Sequence, residues 1–160
     1  MHLHKVLLLA ITVACASSEV DEEAAAASAT VTLDEFRQLQ WIAGSWRGSG
    51  GAYPTFFEEY RVIDDSTIQM RSFSDSTFSA ATDSSMIEFR DGAVQSRGEQ
   101  RTYTAIALAA DSVRFAPPGA AIGGHTFTRK SADEWTATLH PWSRDGQPTV
   151  YVMRRIQRSP

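Results

Sequence analysis

Leu39-Gln40-Trp41-Ile42-Ala43-Gly44-Ser45-Trp46-Arg47-Gly48 is the stretch where the hydrophobic period of the chain changes from helical to extended. Upstream of it, Thr32 and Glu35 have the spacing of a capping box, and Phe36, Leu39 and Ala43 recur at helical intervals. Gly44 supplies the stop, so one short helix is predicted before it. Downstream the helical stripe is gone and short β-rich segments alternate with turn residues.

Working outward from Gly44, the pattern predicts strands at about Ser45 to Ser49, Thr55 to Ile63, Thr67 to Ser74, Ser84 to Arg90 and Ala93 to Arg97. Further strands are predicted at about Thr102 to Ala109, Ser112 to Phe115, His125 to Lys130, Trp135 to His140 and Thr149 to Ile156. The breaks carry turn chemistry, as in Asp64-Asp65, Asp91-Gly92, Pro117-Pro118-Gly119, Gly123-Gly124 and Asp145-Gly146. Strands this close in sequence pair as hairpins and are therefore antiparallel. A mainly β meander of eight to ten short strands hides its edges best by closing into a barrel, with a sandwich as the alternative. Alternation sorts some side chains by face: Ile68 with Met70, Val113 with Phe115, and Trp135 with Ala137 and Leu139.

Composition narrows the class. The 160 residues are 42% apolar, and all sixteen aromatic residues lie at or after Phe36, so one core built from 32–160 is expected. A single cysteine forbids an intrachain disulfide and any Cys-based zinc cluster. Net charge is -4, which argues against a nucleic-acid binder. The folded region keeps 14 basic and 15 acidic residues, so most of the acidity belongs to the preceding segment. The absence of Asn and the use of 13 Arg against 2 Lys read as coding bias.

The first 31 residues look like an address and a tether. Lys5 precedes the nine-residue apolar run Val6 to Ala14, followed by small residues, the arrangement of a secretory signal peptide. A bilayer needs about 20 apolar residues, so this run is too short to span one. Thr12-Val13-Ala14-Cys15 resembles the lipobox of bacterial lipoproteins, with Thr12 where Leu is usual. That resemblance implies cleavage before Cys15, lipidation of its thiol and a membrane anchor on the bacterial envelope, in the periplasm or at the outer membrane. Ala14-Cys15-Ala16 also fits ordinary signal cleavage, which would release a soluble secreted protein. Residues 16–31 hold four acids and no aromatic residue, and are expected to be a disordered spacer.

Leu39 to Gly48, together with the meander downstream, resembles the start of lipocalin-like (calycin) barrels, where a short helix runs into a Gly-x-Trp on the first strand. Gly44-Ser45-Trp46 is that triplet. The resemblance implies that Trp46 plugs one end of the barrel and that an arginine of the last strand, Arg154 or Arg155, lies over its ring. Within the superfamily, Trp41 to Trp46, Glu58-Glu59-Tyr60, Met86 to Gly92 and Val113-Arg114-Phe115 are similar to an uncharacterised bacterial family of lipocalin-like domains. The sequence leaves that family's pattern after Phe115, where Ala116-Pro117-Pro118-Gly119 replaces an Asn-Pro and a His-Asp-Phe. Gly48 to Thr55 is similar to the Gly-rich segment of nitrobindin, a haem-binding barrel. Nitrobindin's iron-binding His has no counterpart after Gly146-Gln147-Pro148, so a haem would fall to His125, His140 or Tyr151.

Catalytic signals are sparse. His2 and His4 belong to the signal peptide, and no HExxH, GxSxG, Walker or EF-hand pattern is present. Gly48-Ser49-Gly50 reads as a turn, because Arg47 stands where a nucleophile elbow needs Gly. Glu58 and Glu59 are neighbours on a strand, point to opposite faces and cannot act as a pair. Their expected setting is a solvated strand surface; the alternative is that one points into the barrel, where Arg61, on the face of Glu59, would neutralise it. His140-Pro141-Trp142 is an unusual cluster at a strand end, read as a rim histidine packed on Trp. An enzyme is not indicated, and no cofactor or metal is assigned.

The leading expectation is an exported, monomeric, lipocalin-like protein that holds a small apolar or amphipathic ligand. Tyr60, Phe73, Tyr103, His125, Trp135, His140 and Trp142 are its candidate contacts. A haem barrel of the nitrobindin kind and a ligand-free structural domain of the envelope are the alternatives.

Overall fold

The computed structural model describes residues 30–51, 53–120 and 122–157. The expected signal peptide, Cys15 and the spacer as far as residue 29 lie outside the described residues. Over the described residues the chain is a mainly β protein, a closed antiparallel barrel of ten strands preceded by one short helical segment.

The helix α1 spans Leu33–Arg37 and continues as a 3-10 helix over Gln38–Ile42. Its start is the capping box read from the sequence. The Thr32 side chain accepts the Glu35 N–H at 3.2 Å, and the Thr32 N–H donates to Glu35 Oε2 at 2.8 Å. The Thr32 N–H and hydroxyl, both donating to Glu35 Oε2 at 2.8 Å, hold the Glu35 carboxyl below its usual pKa. Just upstream, Val31 is already buried, its N–H bonded to the Gly92 carbonyl at 2.9 Å.

The strands are β1 Gly44–Gly50, β2 Tyr53–Asp64, β3 Thr67–Phe73, β4 Ala81–Arg90, β5 Ala93–Arg97, β6 Thr102–Ala109, β7 Ser112–Ala116, β8 His125–Arg129, β9 Glu134–Leu139 and β10 Thr149–Arg155. Each pairs antiparallel with its neighbours in sequence, and β1 closes the ring on β10 from Trp46↔Arg155 to Gly50↔Tyr151. Closure removes both sheet edges.

One end of the barrel receives the helical segment and is filled. Phe36, Leu39 and Ile42 descend onto Trp46, Ile68, Ile87, Val94, Val113, Trp135 and Met153, all buried. The Trp46 indole N–H donates to the Ile42 carbonyl at 2.8 Å, which ties the plug to the helix. Arg155 lies over that ring, its guanidinium carbon 4.2 Å from the centroid. The same guanidinium donates to the carbonyls of Ala43 at 2.9 Å, Trp41 at 3.4 Å and Ala132 at 2.9 Å. It therefore joins the helix, the start of β1 and the β8–β9 turn in one knot. Gly44 makes room for it. Its φ of 135° lies outside the range of ordinary side chains, and a Cβ there would run into the Arg155 guanidinium.

Of the two arginines named from the sequence, Arg154 does not take part. It precedes Arg155, so the pleat turns it outward, where it pairs with Glu134 at 3.3 Å and stays largely exposed.

Candidate functional site

The opposite end of the barrel is where the β1–β2, β3–β4, β5–β6, β7–β8 and β9–β10 turns meet, and among the described residues no helix covers it. Below these turns the interior holds a cavity of about 450 Å³. Its wall is mostly apolar: Phe56 and Tyr60 of β2, Met70 of β3, Ile87 of β4, Tyr103 of β6, Phe127 of β8, Ala137 and Leu139 of β9, and Tyr151 and Met153 of β10. Trp135 forms the floor. Its ring meets Trp46 at 5.9 Å, Tyr60 at 5.7 Å and Phe127 at 4.9 Å, all edge-on. The floor is thus the inner surface of the plug.

Polar groups are few: Glu58 of β2, Ser85 of β4, Ser96 of β5, His125 of β8 and Arg101 of the β5–β6 turn, where Gly98 completes the lining. The Tyr60 hydroxyl donates to Glu58 Oε2 at 2.8 Å. Burial in the apolar chamber raises the Glu58 carboxyl to about 7, with Asp83 adding to the rise and the Tyr60 hydroxyl opposing it. Burial and the adjoining Glu58 push the Tyr60 hydroxyl well above its usual value, so it remains a donor. His125 meets Phe115 and Phe127 in tilted contacts, each 4.8 Å away, with Tyr103 edge-on at 5.2 Å. Burial, with the charge of Arg114 nearby, lowers its pKa to about 4, so its imidazole is neutral at ordinary pH.

Around the mouth, three hairpin turns are stitched together. The Arg101 guanidinium lies 5.4 Å from the centre of the Trp142 ring, linking the β5–β6 and β9–β10 turns. Gly123 of the β7–β8 connection sits beneath that ring, and a Cβ there would come within 2.8 Å of it. Arg114 donates to the carbonyls of Phe115 and Gly123, which fixes the same connection from outside.

No family model matches this chain. No curated protein matches it. Among solved structures it is similar to a redesigned beta barrel, with 11% sequence identity and a TM-score of 0.40 over 76% of this chain and 96% of that one. Its site must therefore be read from its own residues.

Four of the residues named from the sequence come together in the cavity: Tyr60, Tyr103, His125 and Trp135. Three do not. Phe73 lies an odd number of residues from the inward Met70, so it faces out, where Phe78 covers it at 5.0 Å and Phe57 joins the cluster. His140 follows the inward Leu139 and turns outward to Thr126 Oγ1, 2.7 Å from its Nε2. Trp142 stands on the rim with 60% of its surface exposed.

The residue most at odds with its expected setting is Glu58. It is inside the barrel and not on a solvated surface, because the pleat gives it the face of Phe56 and Tyr60. Glu59 takes the outer face and is itself buried, with Arg61 Nε 2.8 Å from its Oε2. Phe56 and Arg101 are further lining residues that sequence reading passed over, and Tyr151, named from the sequence only as a substitute haem ligand, lines the cavity as well. Phe56 and Tyr151 pack edge-on at 5.4 Å across the β1 seam, a contact that exists only once the barrel closes.

Proposed function

We propose that this chain is a lipocalin-like binding protein that takes a small apolar or amphipathic molecule into the open half of its barrel. The observation that carries the reading is the cavity of about 450 Å³, within the size range of small-molecule sites, lined by aromatic and aliphatic side chains with a few separated polar groups. A core evolved only for stability packs close to crystal density and leaves few voids larger than a water molecule. Support for the lipocalin-like assignment is the helix leading into Gly44-Ser45-Trp46 and the stacking of Arg155 on Trp46.

We propose further that Cys15 carries a lipid anchor that keeps the barrel at the surface of the bacterial envelope. Several acyl chains, at about 0.8 kcal/mol per buried CH2, suffice for stable attachment. Substituting Cys15→Ser is expected to move the protein from the membrane to the soluble fraction and to abolish the acyl mass increment. An unchanged mass and location would remove this proposal.

The binding reading is tested by native mass spectrometry of the gently purified protein, with a bound small molecule expected. Ala137→Trp supplies the control, because Ala137 lines the cavity and a large ring there fills it. Failure of the wild-type protein to retain or take up any apolar probe would overturn the reading. A haem-dependent Soret shift that disappears in His125→Ala would instead make haem the occupant.

A further inference from the structure

The charges around the cavity are unbalanced. Glu58 projects from β2 into an apolar chamber, and its partner there is the Tyr60 hydroxyl. Among the described residues no Lys, Arg or His forms an ion pair with it. The charge that bears on it from β4 is Asp83, of the same sign. On β3 its cross-strand neighbour is Ser72, and on β1 it is Trp46. Arg101, the one cationic side chain among the described lining residues, is turned to the Trp142 ring at the mouth. His125 on β8 is neutral. A carboxylate in such a chamber lacks its counter-ion, and the aromatic side chains of Phe56, Tyr60 and Tyr151 line the same chamber.

We infer that the ligand is an amphiphile bearing a protonated amine, with its ammonium on Glu58 and its apolar part against Phe127, Trp135 and Ala137. This deepens the binding reading proposed for the cavity and rests on it. A ligand carboxylate would meet Glu58 with like charge, and a neutral head would leave the carboxylate uncompensated. Because the Glu58 proton is released near pH 7, the preference for a cation is a property of the deprotonated site.

Three probes with the same chain and different heads separate the possibilities: decylamine, decanol and decanoate, each displacing a fluorescent apolar dye from the full-length protein. At pH 8 the amine is expected to bind about 10- to 100-fold more tightly than the alcohol, the worth of a charge-assisted hydrogen bond. Glu58→Gln is expected to bring the amine down to the affinity of the alcohol and to leave the alcohol unchanged. The wild-type protein at pH 5 should show the same loss of preference, which decides the matter even if the variant does not fold. Equal binding of amine and alcohol at pH 8, or a preference for decanoate, would overturn the inference and leave the binding reading standing. Binding of none of the three would overturn the binding reading itself.

Discussion

Replacing Glu58 with Gln exchanges an ionisable group for a neutral one of the same shape that still accepts the Tyr60 hydroxyl. The consequence for stability comes from proton linkage. In the folded protein Glu58 holds its proton up to about pH 7, whereas the reference carboxyl releases it near 4.5. Between those values the folded state binds the extra proton, so its stability falls as pH rises through the window. Above it, the ionised carboxylate costs the folded state about 3 kcal/mol, an upper limit because the open end admits water. Glu58→Gln is therefore expected to be within about 1 kcal/mol of wild type at pH 5 and to be more stable by up to about 3 kcal/mol at pH 8. Urea unfolding followed by tryptophan fluorescence at the two pH values measures both differences, with equal slopes confirming that the same surface is exposed. If the difference between variant and wild type is the same at pH 5 and pH 8, Glu58 does not titrate in an apolar chamber and the reasoning fails.

His125 acts with the opposite sign. Its folded pKa is about 4 against a reference of 6.5, so the unfolded state binds the extra proton in between and stability falls as pH drops. Between about pH 4.5 and 6.5 the rising slope from His125, to which the lowered pKa of His140 adds in the same sense, opposes the falling limb of Glu58, and His125→Gln should make stability fall more steeply with pH across that range in chemical unfolding. Arg155→Ala removes the stack on Trp46 and leaves the Ala43 and Trp41 carbonyls without their donor, for an expected loss of about 2–4 kcal/mol. Arg154→Ala deletes only a surface ion pair and should stay within about 0.5 kcal/mol of wild type, so comparing the two variants' unfolding midpoints tests which arginine closes the barrel. Gly44→Ala combines a forbidden φ with a collision against that guanidinium and should cost at least about 2 kcal/mol; a variant as stable as wild type would place Gly44 in a different backbone conformation.

The strands were legible because their signal is local. Turn residues punctuate the chain every few positions, and alternation between them marks each segment, so all ten strands fall where the pattern puts them. Where the signal faded, the boundary moved. β4 begins at Ala81 and not at Ser84, because Ala81, Thr82 and Asp83 carry no alternation and are held as a strand only by pairing with Ser72 and Phe73. The plug was read from a resemblance and not from a pattern: a short helix running into Gly44-Ser45-Trp46 is similar to the start of lipocalin-like barrels, and the structure ties Trp46 to the Ile42 carbonyl with Arg155 over its ring.

The cavity was half legible, and the missing half has one cause. Side-chain type and strand parity gave opposite advice at Glu58 and Phe73, and parity prevailed; Trp142 lies beyond the end of β9, where strand parity no longer applies. A carboxylate ordinarily belongs in water and a phenylalanine in a core, yet the pleat allows no choice: fixing Tyr60 inward also fixes Glu58 inward, and fixing Met70 inward turns Phe73 out. Each was then accommodated where it fell, Phe73 by the overlying Phe78 and Glu58 by a hydroxyl donor and a raised pKa. Phe73 found apolar cover from Phe78, whose backbone takes a φ of 55°, whereas Glu58 keeps a penalty that a packed core would have removed by substitution to Leu or Gln. A destabilising group in an open chamber is the ground for proposing a site there, since natural chains tolerate such penalties chiefly where function requires them.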